Sequence, residues 1–241
     1  MTEERSGDVL YVVMPAYNEE ENIGDVVRGW YAVLEGKDPA SRLVVADSGS
    51  TDRTHEILLE MQEELPQLEI LEDTEKQHGP KLIALYRLAA ARGADFVFQT
   101  DSDGQTEPEE FSSFWSRRDR YDAIIGNRAV RKDGWQRAEV ERVVCLLLRL
   151  YFRVKVPDAN APFRLMRTKA LAGYLDRLPQ EYALPNIMLT VFFMRGEEHV
   201  LFREITFRAR TKGENSIDMR RITRIGLQAM EDFRRFRKNM D

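Results

Sequence analysis

The first half of the chain repeats one pattern, in which a short apolar segment leads into a polar loop and then into an amphipathic helix. Apolar segments lie at residues 9–14, 43–46, 68–71 and 95–100, and the first three are followed by helices predicted to end near residues 34, 64 and 93. Strands and helices that alternate in this way predict an α/β fold with a mostly parallel sheet and right-handed crossovers. The 241 residues, 43% of them hydrophobic, suffice for one such core.

Three polar loops follow strands of this predicted sheet, with the sequences PAYNEE, DSGSTD and DSDGQ. Parallel strands end at the same edge of a sheet, and open α/β sheets bind their ligands in a crevice at that edge. The three loops are therefore predicted to face a common crevice.

The loop DSDGQ places two carboxylates, Asp101 and Asp103, one residue apart directly after a buried strand. Carboxylates held this close repel each other unless a cation lies between them or solvent screens them. A divalent metal site is one interpretation of this loop. A solvated turn is the other, since Asp-Gly is a common turn dipeptide.

The second half of the chain is less regular. Residues 127–137 read as a basic loop, and a helix is predicted to open near residues 107–108. Strands are predicted at 123–126, 163–167 and 200–209, and helices at 139–154, 168–178, 186–195 and 217–239. This pattern predicts one domain over residues 1–216 and a basic amphipathic helix over 217–241, packed on the domain or on a membrane surface.

Composition excludes several classes of protein. The net charge of −5 argues against a general nucleic-acid binder, so no nucleic-acid partner is expected. A single cysteine allows no internal disulfide and fits a reducing compartment. The first residues do not have the layout of a signal peptide, and the longest apolar run is too short to span a bilayer. A cytoplasmic protein, soluble or peripheral on a membrane, is predicted.

Four motifs of the first half follow one another in the order and spacing of the inverting family 2 glycosyltransferases with the GT-A fold: VVMPAYNEEENIGDVV, VVADSGSTDRT, the G-P-K of the third helix, and QTDSDGQ. In the second half, GNR, DANAPFRLMR, ALPNIML and RARTKGENS resemble the polyprenyl-phosphate sugar transferases, including the dolichol-phosphate mannose synthase type. The resemblance extends to about Asp232. It implies a Rossmann-like sheet flanked by helices and transfer of a hexose, such as mannose, from a nucleotide diphosphate with inversion.

The resemblance implies a metal ion in the donor site. Asp101, Asp103 and the amide oxygen of Gln105 correspond to the metal ligands of the family, and the metal would be Mg²⁺ or Mn²⁺. A cation that bridges both phosphates neutralises the diphosphate before it leaves.

Further donor contacts are implied for the other crevice loops. Asp47 would accept a hydrogen bond from an N–H of uracil or guanine, so a UDP- or a GDP-linked sugar fits equally; the alternative is a cap of the next helix. Glu19 would contact the ribose or order its loop, unless it is an acidic residue of the first helical turn. Lys81 would meet the diphosphate, unless it is a surface lysine. The remaining donor residues are Pro15, Ala16, Tyr17 and Ser102.

The acceptor is predicted from arginines and from a missing base. Arg128 and Arg142 correspond to phosphate-binding arginines of the mannose synthase type, and Asp158 to an aspartate that orients donor or acceptor. A hydroxyl acceptor needs a carboxylate base, whereas a phosphate is already ionised. The segment ALPNIML contains no carboxylate, so a polyprenyl or dolichyl phosphate is favoured. Further phosphate contacts are predicted for Arg164, Arg210 and Lys212.

The final helix combines isoleucines and phenylalanines with seven basic residues between 217 and 239, a composition suited to an anionic membrane surface. Core packing with a solvated basic face explains the same pattern. A membrane surface or a membrane-anchor subunit is therefore a predicted partner.

Three other functions remain open. A transferase to a glycan hydroxyl would require Asp158 or Glu181 as base. A nucleotidyltransferase could share the sheet and a metal aspartate, but the first loop has no G-x-G-T-R-like sequence. A catalytically silent nucleotide-sugar binding subunit is the third.

Overall fold

The computed structural model of the chain describes residues 7–131, 135–209 and 219–238. The strands are β1 (Leu10–Ala16), β2 (Arg42–Asp47), β3 (Leu68–Leu71), β4 (Phe96–Thr100), β5 (Ala123–Arg131), β6 (Phe163–Arg167) and β7 (Val200–Phe207). The helices are α1 (Ile23–Tyr31), α2 (Thr54–Glu64), α3 (His78–Ala91), α4 (Phe111–Trp115), α5 (Trp135–Phe152), α6 (Thr168–Leu175), α7 (Pro185–Arg195) and α8 (Met219–Lys238).

The described strands form one sheet in the order β3-β2-β1-β4-β6-β5-β7. The neighbours β3, β2, β1 and β4 are all parallel, as are β5 and β7. Strand β6 runs antiparallel to both of its neighbours, β4 and β5. The mostly parallel sheet predicted from the sequence is confirmed.

Alternating side chains of the strands supply a core on each face of the sheet. In β1, Tyr11 and Val13 belong to the core formed with helices α3 and α5 to α8. Leu10, Val12 and Met14 belong to the core formed with α1, α2 and α4. This division follows from the two-residue period of a strand, because successive side chains point to opposite faces.

Strand β5 is longer than predicted, and the expected basic loop after residue 126 is wrong in its first part. Val130 pairs with Thr206, and Arg131 with Phe207, across a register shift that begins at Asn127. A shift of this kind interrupts the alternation of side chains, so the continued strand cannot be read from the sequence pattern.

Several helix bounds also differ from the predictions. A 3₁₀ turn at Pro108–Glu110 leads into the five-residue helix α4. Helix α5 begins at Trp135, four residues earlier than predicted, and α6 ends at Leu175 rather than at residue 178. The apolar pattern locates the middle of a helix better than its ends.

The apolar side of α8 faces the domain along its described side chains. Phe233 packs edge-on against Phe152 of α5, with ring centroids 5.5 Å apart. Phe236 packs against Tyr182 at 5.1 Å and Phe192 of α7 at 6.0 Å. Core packing therefore accounts for these two phenylalanines.

None of the helices in the described ranges combines the length and the apolar character that a bilayer crossing requires.

Candidate active site

A cavity of about 610 Å³ lies where β1 and β4 end at the carboxyl edge of the sheet. It brings together the loop after β1, the start of α3 and the loop after β4. Its lining residues are Pro15, Ala16, Tyr17, Glu19, Lys76, Gln77, His78, Lys81, Asp101, Ser102 and Asp103. Of these, Lys76, Gln77 and His78 were not predicted as site residues; His78 begins α3 and shares one turn of that helix with Lys81.

The loop after β4 presents both of its aspartates to this cavity. Oδ1 of Asp101 accepts a hydrogen bond from Nε2 of Gln99 at 3.1 Å and lies 3.3 Å from Nε2 of His78. Although desolvation opposes it, the hydrogen bond to Asp101 raises the pKa of His78. The turn between the aspartates and Gln105 contains Gly104 at φ +71°, a left-handed conformation that favours glycine.

The two carboxylates offer the hard oxygen donors that Mg²⁺ and Mn²⁺ take. Across the described ranges, no group of three or more His, Cys, Asp or Glu side chains is arranged to hold a metal. Such a cation would thus take the remaining ligands from a bound diphosphate and water, as Mg²⁺ commonly does. Gln105 does not line the cavity; its side-chain amide is buried and donates to the Arg208 carbonyl at 2.6 Å.

Two buried side chains hold the carboxyl end of β1, from which the loop after β1 starts. Nζ of Lys81 donates to the carbonyl of Ala16 at 2.5 Å, and Oγ of Ser102 donates to the carbonyl of Pro15 at 2.9 Å. Burial lowers the pKa of Lys81, while the nearby Asp47 carboxylate opposes this shift. Lys81 is only 1% exposed, so its interpretation as a surface lysine is wrong.

Asp47 is buried at the end of β2, beside the cavity rather than in its lining. Its carboxylate accepts a hydrogen bond from Oγ of Ser50 at 2.5 Å and lies 3.2 Å from Nδ1 of His55. The alternative role as a helix cap is wrong, because the first N–H of α2, that of Thr54, donates to Asp52 instead. Its contact with a nucleobase stays a prediction.

Glu19 is buried in the loop before α1 and lines the cavity. Its Oε2 accepts a hydrogen bond from Nδ2 of Asn22 at 2.8 Å, and its N–H donates to Oγ1 of Thr54 at 2.7 Å. Helix α1 begins only at Ile23, so the placement of Glu19 in the first helical turn is wrong. These bonds order the loop around the cavity.

The predicted acceptor residues Arg128 and Asp158 form a buried ion pair. Nε and Nη2 of Arg128 donate to the two oxygens of Asp158 at 2.7 and 2.8 Å, and Glu141 lies 3.4 Å from Nη2. Although burial favours the neutral acid, the hydrogen bonds and charge of Arg128 lower the pKa of Asp158. Sequence reasoning missed Glu141, whose Oε1 also accepts the Ala159 N–H at 2.7 Å.

Arg164 is fully buried, which contradicts its predicted contact with an acceptor phosphate. Its guanidinium donates to backbone carbonyls of Ala161 at 3.0 Å and Asn186 at 3.0 Å. A phosphate has no access to a side chain with no exposed surface. Arg142 is exposed on α5, whereas Arg210 and Lys212 lie outside the described residues.

A second cavity, of about 700 Å³, lies between α6, α7 and α8. Aromatic and arginine side chains dominate its lining, with Tyr174 stacked on Phe192 and the Arg177 guanidinium 5.1 Å from the Tyr174 ring centroid. It contains none of the polar loops that follow the parallel strands. The cavity at Asp101 and Asp103 is therefore the candidate active site.

Solved structures with the same fold include glucosyl-3-phosphoglycerate synthase from Mycobacterium tuberculosis in complex with Mn²⁺ and uridine-diphosphate-glucose. It superposes with a TM-score of 0.70 at 18% identity, over 95% of this chain and 79% of that one. This similarity confirms the GT-A fold.

Curated relatives include the undecaprenyl-phosphate 4-deoxy-4-formamido-L-arabinose transferases. The Edwardsiella ictaluri protein is 24% identical over 176 residues, covering 73% of this chain and 54% of the relative. The Pseudomonas aeruginosa (strain LESB58) protein is 28% identical over 169 residues, covering 70% of this chain and 50% of the relative. The chain thus spans about half the length of these relatives.

The sequence profile described as "Glycosyl transferase family 2" matches residues 11–175, from the first strand through α6. The match contains every loop that lines the cavity at Asp101 and Asp103. The chain therefore belongs to glycosyl transferase family 2, a family of enzymes that transfer sugars.

Proposed function

We propose that this enzyme transfers a sugar from a uridine diphosphate donor to a polyprenyl phosphate, with Mg²⁺ or Mn²⁺ held at Asp101 and Asp103. The observation that carries the proposal is the cavity in which both aspartates meet the loop after β1. The uridine donor is supported by the UDP-glucose complex of the structural neighbour, and the acceptor by the names of the curated relatives.

The donor set of the cavity fits a cation shared with a diphosphate. Asp101 and Asp103 provide two carboxylates, and a magnesium site commonly combines one or two carboxylates with substrate phosphates. When bound, the cation would neutralise the charge that develops on the departing diphosphate. Lys81 and Ser102 hold the carboxyl end of β1 in place, which keeps the opposite wall of the cavity fixed.

A phosphate acceptor suits the state of Asp158. One phosphate oxygen forms the bond to the anomeric carbon while the bond to the nucleoside diphosphate breaks, and no proton has to be removed. A hydroxyl acceptor would need a base, yet Asp158 is engaged by Arg128 with a lowered pKa. The other candidate, Glu181, is exposed and does not line the cavity. The exposed Arg142, with Arg210 and Lys212, is proposed to bind the lipid phosphate.

The proposed lipid acceptor requires contact with a membrane, and α5 supplies a suitable face. Val143, Leu146 and Leu150 are 55%, 56% and 65% exposed at helical spacing. The exposed Arg142 and Arg149 lie on the same helix. An apolar stripe with flanking arginines suits an anionic membrane surface. We assign the membrane contact to this face, since Phe233 and Phe236 of α8 are buried.

The membrane assignment is tested by sedimentation with vesicles that contain anionic phosphatidylglycerol. Leu146→Asp should reduce the bound fraction at least about tenfold, because a charge replaces apolar surface in contact with lipid. Leu59→Asp is the matched control, since Leu59 is 45% exposed on α2. If wild type and Leu146→Asp bind the vesicles equally, α5 is not part of the membrane contact.

Transfer is tested with radiolabelled UDP-sugars, Mn²⁺ and undecaprenyl phosphate in detergent. Product should form with wild type and with Asp119→Ala, a control in an exposed turn, but not with Asp103→Ala. If GDP-mannose supports transfer and no UDP-sugar does, the assignment of a uridine diphosphate donor is wrong. Transfer to a glycan hydroxyl but not to the lipid would overturn the acceptor assignment. Binding of UDP without any turnover would favour a silent subunit.

A further inference from the structure

Beneath Asp101, three buried polar side chains form one chain of hydrogen bonds. Nε2 of Gln99 donates to Oδ1 of Asp101 at 3.1 Å. Nδ2 of Asn186 donates to Oε1 of Gln99 at 3.0 Å, and the Tyr86 hydroxyl donates to Oδ1 of Asn186 at 2.8 Å. Gln99 and Tyr86 are 0% exposed, and Asn186 is 2% exposed.

Only one direction of donation satisfies every side chain in this series of hydrogen bonds. An ionised Asp101 can only accept, so Gln99 must present its amide NH₂ to it. The Gln99 oxygen then has to accept from the NH₂ of Asn186, and the Asn186 oxygen from the Tyr86 hydroxyl. Reversal of either amide would place two acceptor oxygens against each other in a buried site, at a considerable cost in free energy.

The chain of bonds ties three elements of the fold to the loop after β4. Tyr86 lies on α3, Gln99 on β4 and Asn186 in the first turn of α7. The Asn186 backbone is held as well, because its carbonyl accepts a hydrogen bond from Nη1 of Arg164 at 3.0 Å. The position of the Asp101 side chain is thus fixed by residues of the rigid core rather than by its own loop.

We propose that Tyr86, Asn186 and Gln99 form a positioning relay that fixes Oδ1 of Asp101 and directs its Oδ2 to the cation. The proposal rests on the cation site of the proposed function. It agrees with the hydrogen bonding of Asp101, whose Oδ2 has no hydrogen-bond partner within residues 7–131, 135–209 and 219–238. None of the three relay residues contacts the nucleotide-sugar donor; they act on the cation through Asp101.

The test compares two tyrosine substitutions that each remove one buried hydroxyl. Tyr86→Phe deletes the first donor of the relay, whereas the buried hydroxyl of Tyr182 has no hydrogen-bond partner among the described residues, which makes Tyr182→Phe a matched control. The dissociation constant of Mn²⁺ in the presence of UDP is measured by electron paramagnetic resonance. Tyr86→Phe should raise it about tenfold, as is typical when a partner of a metal ligand is lost, and Tyr182→Phe should not change it.

Two further measurements separate positioning from general damage. Gln99→Met removes the direct donor to Asp101 with a side chain of similar size, and it should raise the Mn²⁺ dissociation constant at least as much. The affinity for UDP without metal should stay at the wild-type value in both variants. An equal loss of metal-free UDP affinity would assign the three residues a purely structural role and overturn the relay.

The outcomes distinguish the relay from the proposed function. If wild type binds Mn²⁺ with UDP and either folded variant matches its affinity, the relay is wrong and the proposed function stands. If wild type binds no Mn²⁺, both fall together. A double-mutant cycle supports the link directly: in an Asp101→Asn background, Tyr86→Phe should lower the melting temperature by a different amount than in wild type, whereas equal shifts contradict the relay.

Discussion

Two charged regions of the molecule, one in each half of the chain, use their side chains in opposite ways. At the carboxyl edge of β1 and β4, Asp101 and Asp103 face a cavity of about 610 Å³. In the second half, Arg128 and Asp158 are paired with each other, and Arg164 donates to backbone carbonyls without any exposed surface. The first arrangement keeps carboxylate oxygens accessible to a ligand, whereas the second uses charge to hold the backbone.

This difference shows why a charged residue in a family motif need not be a ligand. From the sequence, Arg164 was predicted to bind phosphate and Asp158 to orient the donor or acceptor, yet both side chains are buried. Buried charges are retained only when they are paired or fully hydrogen-bonded, and both conditions are met here. Substitutions at Arg128, Asp158 and Arg164 should therefore change mainly the stability of the protein, and substitutions at Asp101 and Asp103 mainly its ligand binding.

The largest loss of stability is expected for Arg164→Met. The substitution removes the hydrogen bonds of the guanidinium to the carbonyls of Ala161 and Asn186, of which only the second keeps another side-chain donor, Oγ1 of Thr190 at 2.8 Å. Hydrogen bonds from a charged group are worth about 1.5–3 kcal/mol each, so the free energy of unfolding should fall by about 4 kcal/mol. Urea unfolding measures it. Arg149→Met, on the exposed side of α5, is the control and should change stability by less than about 0.5 kcal/mol. If Arg164→Met hardly changes the free energy of unfolding but abolishes sugar transfer, Arg164 is a ligand after all.

Asp158→Asn should have the next largest effect, about 3 kcal/mol, because it leaves the Arg128 charge buried with a weaker partner. The effect should depend on pH. The folded pKa of Asp158 is lowered, so the pair stabilises the protein above the unfolded pKa of about 3.9 and this contribution is lost as the pH falls below it. The difference between variant and wild type should be full at pH 7 and shrink below about pH 4; a pH-independent difference would contradict the ion pair.

Gly79→Ala should cost about 2 kcal/mol, the usual range for overpacking. A Cβ at this position would lie 2.6 Å from the carbonyl carbon of Ala183, which is backbone and cannot rotate away. Thermal unfolding measures this loss of stability, with Gly173→Ala on α6 as the comparison. A Cβ at Gly173 meets nothing within 4 Å, so a gain of stability is expected there. If Gly79→Ala is also stabilising, the start of α3 does not pack against residues 182–183 as described.

Ser102→Ala should show the smallest change in stability, about 1 kcal/mol for one buried hydrogen bond. Its effect on ligand binding should be larger than its effect on stability, since the lost bond fastens the carbonyl of Pro15 to the loop after β4. Calorimetric titration of UDP with Mn²⁺ measures that effect. Ser112→Ala, in the exposed part of α4, provides the comparison; equal affinities for both variants would show that this bond does not shape the cavity.

The sequence predicted that the loops after β1 and β4 meet in one crevice, because the cause is local; the third loop of that prediction, DSGSTD, is absent from the lining of the cavity. Each strand ends at a polar loop, parallel strands end at one edge, and Asp101 and Asp103 therefore had to reach that edge. The direction of β6 was not predictable in this way, because a short apolar strand has the same pattern whether it runs parallel or antiparallel.

The buried state of Lys81 and Arg164 was also outside the reach of the sequence. Their partners are backbone carbonyls, which every residue carries, and they lie 65 residues away at Ala16 and 22 residues away at Asn186. Likewise, Gln99 and Asn186 meet across 87 residues. Such contacts arise only once the sheet and helices have packed, so the local spacing of residues in the sequence does not predict them.

The most direct test of this account is calorimetric titration of UDP into the protein with and without Mn²⁺. Wild type and Asp119→Asn should bind UDP in a metal-dependent manner, and Asp101→Asn and Asp103→Asn should lose the metal-dependent part while remaining folded. If UDP binds wild type equally with and without Mn²⁺, or if both aspartate variants retain metal-dependent binding, the cavity at Asp101 and Asp103 is not the cation site.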